Sequence, residues 1–94
     1  MPSSTIERRQ VFYSGRVQGV GFRWTVRYIA QDHAVQGFVK NLEDGRVQLV
    51  AEGTAQELDC FLTAIADRMG RNIHDFTVNR EPATGEFSTF EIVH

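Results

Sequence analysis

The chain has one cysteine, Cys60, which excludes an internal disulfide and any cluster of cysteine metal ligands. A reducing setting, the cytoplasm, is expected. Lysine is equally scarce: Lys40 stands alone against nine arginines. Prolines occur only at positions 2 and 82, and nothing in the composition marks a linker. His33, His74 and His94 have no i, i+4 spacing, so neither a metal nor any other cofactor is expected. No apolar run reaches the length of a signal-peptide core or a membrane span, so no membrane partner is expected. At 94 residues there is no room for a barrel or a dinucleotide-binding fold. One domain over residues 1–94 is expected, with 1–7 as a flexible arm.

The charges that are present are unevenly placed. The formal net charge is −2. Yet residues 1–31 hold five arginines against Glu7, a formal +4, and the remainder carries −6. The acidic remainder disfavours a long polyanion, and no nucleic-acid partner is expected. Arginine presents a planar fork of donors suited to oxyanions, so the first third is where an anion site is sought.

Gln10 to Ser14 is rich in strand formers and halts at Gly15. From Phe22 the period changes, and Phe22, Val26, Ile29, Ala30 and His33 share one helical face. Val35 to Lys40 reads as a strand, Asp44-Gly45 as a hairpin turn, and Val47, Leu49 and Ala51 as the buried side of the next strand. Thr54 and Glu57 form a capping box for a second helix with Leu58, Phe61, Leu62, Ile65, Ala66 and Met69 on its apolar face, stopping at Gly70. Strands over 74–80 and 87–93 complete the chain. This order predicts an α+β, ferredoxin-like split βαβ sandwich: two helices packed on one face of a mostly antiparallel four- to five-stranded sheet.

Between the first strand and the first helix the chain reads GRVQGVGFR, residues 15–23. Three glycines allow successive N–H groups to converge on one point. The following helix adds unpaired amides and the positive end of its dipole. Arg23, in the first helical turn, can fold back over the same point. The Walker loop and the dinucleotide fingerprint both fail here, because no lysine follows and Trp24 stands where the last glycine would be. The glycine spacing alone leaves two readings open, an oxyanion cradle or a tight turn beside a solvated Arg23.

The segment GRVQGVGFR resembles a signature of the acylphosphatase family. A second stretch, GFVKNLEDGRVQLVAEG from Gly37 to Gly53, is similar to that family's other signature, and EFSTFEI resembles its final strand. The likeness runs from Val11 to Ile92. It implies a phosphate site made of Arg16, Val17, Gln18, Gly19, Val20, Gly21, Phe22 and Arg23, with Asn41 orienting the attacking water. Arg23 and Asn41 are then the catalytic residues. The implied reaction is metal-independent hydrolysis of a small acyl phosphate, with inorganic phosphate as product or inhibitor and the protein acting as a monomer.

The chemistry suits these residues. The leaving carboxylate has a conjugate acid of pKa about 4, so no general acid is required. Asn41 can hold a water by its carbonyl and amide but cannot deprotonate it, and a phosphate oxygen is expected to take the proton. Tyr13 and Leu42 depart from the usual pattern, the first as a core accommodation, the second at the cost of a supporting hydrogen bond beside Asn41. The Gly-Pro common after the second helix is absent.

Among the remaining candidates, Trp24 has two readings, packing in the core or at the rim of the loop, which is the one expected, and packing against an acyl group; Arg8, Arg9 and Arg27 are expected to be surface charge. The alternative to an enzyme is a non-catalytic phosphate- or ligand-binding module of the same fold. An RNA-recognition domain would show paired aromatics on its central strand; Val47 to Glu52 has none.

Overall fold

The computed structural model describes residues 5–94. The first strand, β1, runs Ile6–Gly15, four residues earlier than the propensity-rich stretch at Gln10. Ile6 and Glu7 pair with Thr54 and Gly53, so the arm expected over 1–7 gives up its last two residues to the sheet. Residues 1–4 of that arm lie outside the described residues.

Helix α1 (Phe22–Ala30) buries Phe22, Val26, Ile29 and Ala30, as their spacing requires. His33, the last of that face, sits half-buried with its ring 5.7 Å from that of Phe61. Strands β2 (Gln36–Asn41) and β3 (Val47–Thr54) form a hairpin closed by Leu42 N–H to Arg46 O at 2.8 Å, with Gly45 at φ 95° in the turn. Helix α2 (Ala55–Met69) is capped by Thr54, whose hydroxyl accepts from Glu57 N–H at 3.2 Å. The reciprocal bond of a capping box is not made. Instead Glu57 Oε1 accepts from Ala34 N–H at 3.0 Å and ties the helix to the turn after α1. Gly70 follows the helix in right-handed geometry, so the chain turns there without a left-handed residue.

Strand β4 (Ile73–Pro82) is longer than expected and β5 (Phe90–Val93) shorter. The sheet order is β4-β1-β3-β2-β5, antiparallel except where β5 runs parallel to β2. The expected α+β, ferredoxin-like arrangement is therefore present, with a fifth strand at the far edge. The core joins Val11, Tyr13, Val39, Val47, Leu49 and Ala51 of the sheet to Phe22 and Val26 of α1 and Leu58, Phe61 and Ile65 of α2. Burial of the Tyr13 ring pushes its hydroxyl well above the usual tyrosine range.

Because β4 and β5 occupy opposite edges, residues 83–89 must cross the sheet. They cross the face turned away from the helices, where strand alternation places Glu52. Glu52 is only 3% exposed. Its carboxylate accepts from Thr84 N–H (2.9 Å), Thr84 Oγ1 (3.0 Å), Gly85 N–H (3.0 Å) and Arg8 Nε (2.9 Å). Burial alone would raise its pKa, but these donors outweigh it and hold the carboxyl below its ordinary value. Phe87 of the crossing segment packs against Phe38, with ring centroids 5.9 Å apart.

This arrangement corrects the expectation that Arg8 and Arg9 are surface charge. Arg8 pairs with Glu52 and, at 2.6 Å, with Glu86. Arg9 is 3% exposed and is held by Asp59 at 2.7 Å and Glu7 at 3.2 Å. Much of the positive excess of the first third is thus neutralised by acids from distant segments.

Candidate active site

The loop between β1 and α1 is pinned at three points. Arg16 N–H donates to Asn72 O at 2.9 Å, fixing its start against the approach to β4. Val17 turns inward and is 1% exposed. Gln18 Nε2 donates to both Leu42 O (2.8 Å) and Arg46 O (2.9 Å), fastening the loop to the β2–β3 hairpin. Gly19 and Gly21 then adopt φ 77° and 79°, left-handed values that other residues reach only with strain. A Cβ on either would meet nothing within 4 Å, so dihedral freedom, not space, is what requires glycine there.

Gly21 is also the N-cap of α1. It supplies no side-chain cap, and no acid stands in the first turn. The helix start therefore keeps its amide donors and its positive dipole end uncompensated by any local anion. These features favour an oxyanion over a merely tight turn.

A cavity of about 150 Å³ opens against this end of the loop. Backbone from Gly19 and Gly21 and the side chains of Val17, Phe22, Arg23 and Trp24 line it, joined by Ile92 and His94 from the end of the chain. Arg23 Nη1 lies 3.4 Å from Val93 O and 3.3 Å from His94 Nδ1. Those long contacts aim the guanidinium from β5 and leave its Nε–Nη2 edge available for a bidentate partner.

Asn41 does not line this cavity. It ends β2 opposite Val47, one residue before the carbonyl of Leu42 that Gln18 grips. Its Oδ1 is buried and has no hydrogen-bond partner among the described residues. A buried carbonyl without a partner is costly, so local packing alone does not account for Asn41 at this position. The structure therefore joins the loop to the Asn41 hairpin through Gln18, while Arg23 approaches from α1.

Besides Asn41 and Gln18, two more of the candidate residues stand outside the cavity. Arg16 contributes its backbone to the loop, but its side chain borders a separate cleft with Arg71, Asn72, Ile73 and His74. Val20 is exposed and does not line the cavity. Among the described residues no group of three His, Cys, Asp or Glu side chains could hold a metal ion.

The acylphosphatase family model matches residues 9–92 of the sequence. The chain belongs to the acylphosphatase family. An acylphosphatase of Archaeoglobus fulgidus is 48% identical over 56 residues, covering 60% of this chain and 63% of that relative. The crystal structure of the Bacillus subtilis acylphosphatase superposes with a TM-score of 0.84 at 32% identity, covering 94% of this chain and 99% of that one. HypF of T. kodakarensis contains a similar unit, with TM-score 0.80 and 28% identity over 94% of this chain but only 12% of its own.

Within this acylphosphatase fold, no local pattern in the sequence marks Ile92 and His94 as cavity residues. Their approach to Arg23 depends on β5 crossing to β2, a pairing that no local pattern encodes. Of the two places expected for Trp24, the core is excluded by its 68% exposure and the rim of the loop is where it sits. The helical face that buries Phe22 and Val26 turns Trp24 toward solvent at the cavity's edge.

Proposed function

We propose that this chain hydrolyses the carboxyl–phosphate bond of small acyl phosphates, giving a carboxylate and inorganic phosphate. The observation that carries this reading is the cavity in which left-handed Gly19 and Gly21 meet Arg23 at the uncapped start of α1. In this reading the phosphoryl oxygens accept from amides of the loop over residues 17–22 and from the Nε–Nη2 edge of Arg23, the Arg16 amide being engaged by Asn72 O. Backbone donors fixed in advance stabilise the charge that shifts onto those oxygens in the transition state.

Asn41 holds the attacking water through its side-chain amide. The water adds to phosphorus as the acyl C–O–P bridge breaks on the phosphorus side. Its proton passes to a phosphate oxygen, and the bonding pair leaves with the carboxylate. A leaving group of pKa about 4 needs no protonation, so the residues present suffice. The exposed thiol of Cys60 supports a reducing, cytoplasmic setting.

Turnover of benzoyl phosphate, with a phosphomonoester as control and a chelator present, tests the reading. Arg23→Ala and Asn41→Ala should each cut kcat/KM by about 10²-fold or more, the scale of losing a transition-state donor. Arg23→Lys should not rescue activity, because the planar fork is lost. Phosphate binding without any anhydride hydrolysis would replace the enzyme by a non-catalytic phosphate-binding module.

A further inference from the structure

The molecule has one tryptophan, and it is 68% exposed. Exposing so large an apolar surface forfeits the burial that usually places Trp in a core or an interface. Trp24 follows Arg23 directly and lines the same cavity. That cavity has two characters. Gly19, Gly21, Arg23 and His94 supply polar groups, whereas Trp24 and Ile92 supply apolar surface over the buried Val17 and Phe22.

An acyl phosphate has the same division, an anionic phosphoryl end and an organic acyl end. In-line displacement puts the attacking water and the leaving group on opposite sides of phosphorus. The hairpin bearing Asn41 meets the loop through Gln18, and none of Gln18, Asn41 and Leu42 lines the cavity with Trp24. The acyl end of a substrate whose phosphate is held by Arg23 lies within the same cavity as the indole.

We propose that Trp24 is a specificity-determining residue that selects acyl phosphates with a flat, aromatic or otherwise extended apolar acyl group over those with a short aliphatic one. The inference rests on the acyl phosphate hydrolysis and the placing of water by Asn41 argued above. Stacking of an aromatic acyl group on the indole supplies the discrimination, and the phosphate contacts are common to both substrate kinds. Because Trp24 is mostly solvated, its replacement leaves the core intact.

The test compares kcat/KM for benzoyl phosphate and acetyl phosphate in the wild type, Trp24→Ala and Trp24→Phe. The wild type should favour benzoyl phosphate. Trp24→Ala should lower the benzoyl-to-acetyl ratio by about tenfold, equivalent to about 1.4 kcal/mol, and Trp24→Phe should restore most of it. Binding of benzoylphosphonate, which cannot be hydrolysed at its C–P bond, should shift the emission of the sole tryptophan, and acetylphosphonate should leave it in place. An unchanged ratio in Trp24→Ala, with the wild type active on both substrates, overturns the role of Trp24 and leaves the activity standing. A wild-type protein that turns over neither anhydride overturns both.

Discussion

Replacing Gln18 by alanine separates the two halves of the site without touching either Arg23 or Asn41. The wild-type amide spans 2.8 Å to Leu42 O and 2.9 Å to Arg46 O, so one side chain fixes the loop against the hairpin. Each neutral hydrogen bond contributes about 0.5–1.5 kcal/mol net, and both carbonyls keep a backbone donor, Gly45 N–H on Leu42 O and Leu42 N–H on Arg46 O, so the loss of stability is about 1–2 kcal/mol. For a domain of this size that lowers Tm by about 4–16 °C. The larger effect falls on turnover. Misplacing a reacting group by about 1 Å costs about 10²-fold, and Gln18 ties the loop to the hairpin that carries Asn41, the residue proposed to hold the water. Gln18→Ala should therefore reduce kcat by about 10- to 100-fold. The inhibition constant of inorganic phosphate should change by less than about fivefold, because Arg23 is aimed from β5 and the start of α1 is untouched. Thermal melts, steady-state kinetics and phosphate inhibition on one preparation supply all three numbers. Gln18→Glu should do worse than alanine, since a carboxylate there faces two carbonyls with no proton to donate. A Gln18→Ala enzyme with wild-type kcat, or a phosphate affinity that falls as far as kcat, would refute the reasoning.

Gly21→Ala should destabilise the protein by about 1 kcal/mol through its left-handed φ of 79°, with no steric addition because the new Cβ meets nothing within 4 Å. Urea unfolding measures it, and a loss above about 3 kcal/mol would mean the loop is tighter than its geometry states. Glu52 should make stability depend on acid. Its carboxyl is held below its ordinary value in the folded chain, so the unfolded chain binds the proton more readily. The contribution is complete above the unfolded pKa of about 4.3 and is lost as pH falls through the folded one. Glu52→Gln should lower Tm at neutral pH and flatten its decline between about pH 5 and 3; a variant as acid-sensitive as the wild type would assign that decline to other carboxylates.

How much of this was legible in the sequence depended on whether the determining contacts were local. Thr54 announced α2 because an N-cap acts three residues on, and the apolar spacing of Leu58, Phe61 and Ile65 follows from one helical turn. Gly19 and Gly21 announced the loop because their φ values are closed to other residues. The buried ion pairs were not legible. Arg9 looks like any surface arginine until Asp59 arrives from α2 and Glu7 from its own strand. Glu52 alternates as a solvent-facing residue should, and becomes buried only because residues 83–89 pass over that face. Glu57 satisfied the capping-box pattern, yet tertiary contact with Ala34 took its carboxylate. In the site, the Arg23 loop could be read from its own residues. Its dependence on Gln18 as a strut and on the end of β5 could not.

The route of residues 83–89 also makes the site a joint product of distant segments. Strand β5 has four residues and pairs in parallel with β2, Phe90 opposite Gly37, after the chain has crossed the sheet. Its docking there lets Ile92 and His94 close one wall of the cavity and brings Val93 O to Arg23. A change that loosens β5 therefore reaches the cavity and Arg23, although it touches neither glycine of the loop.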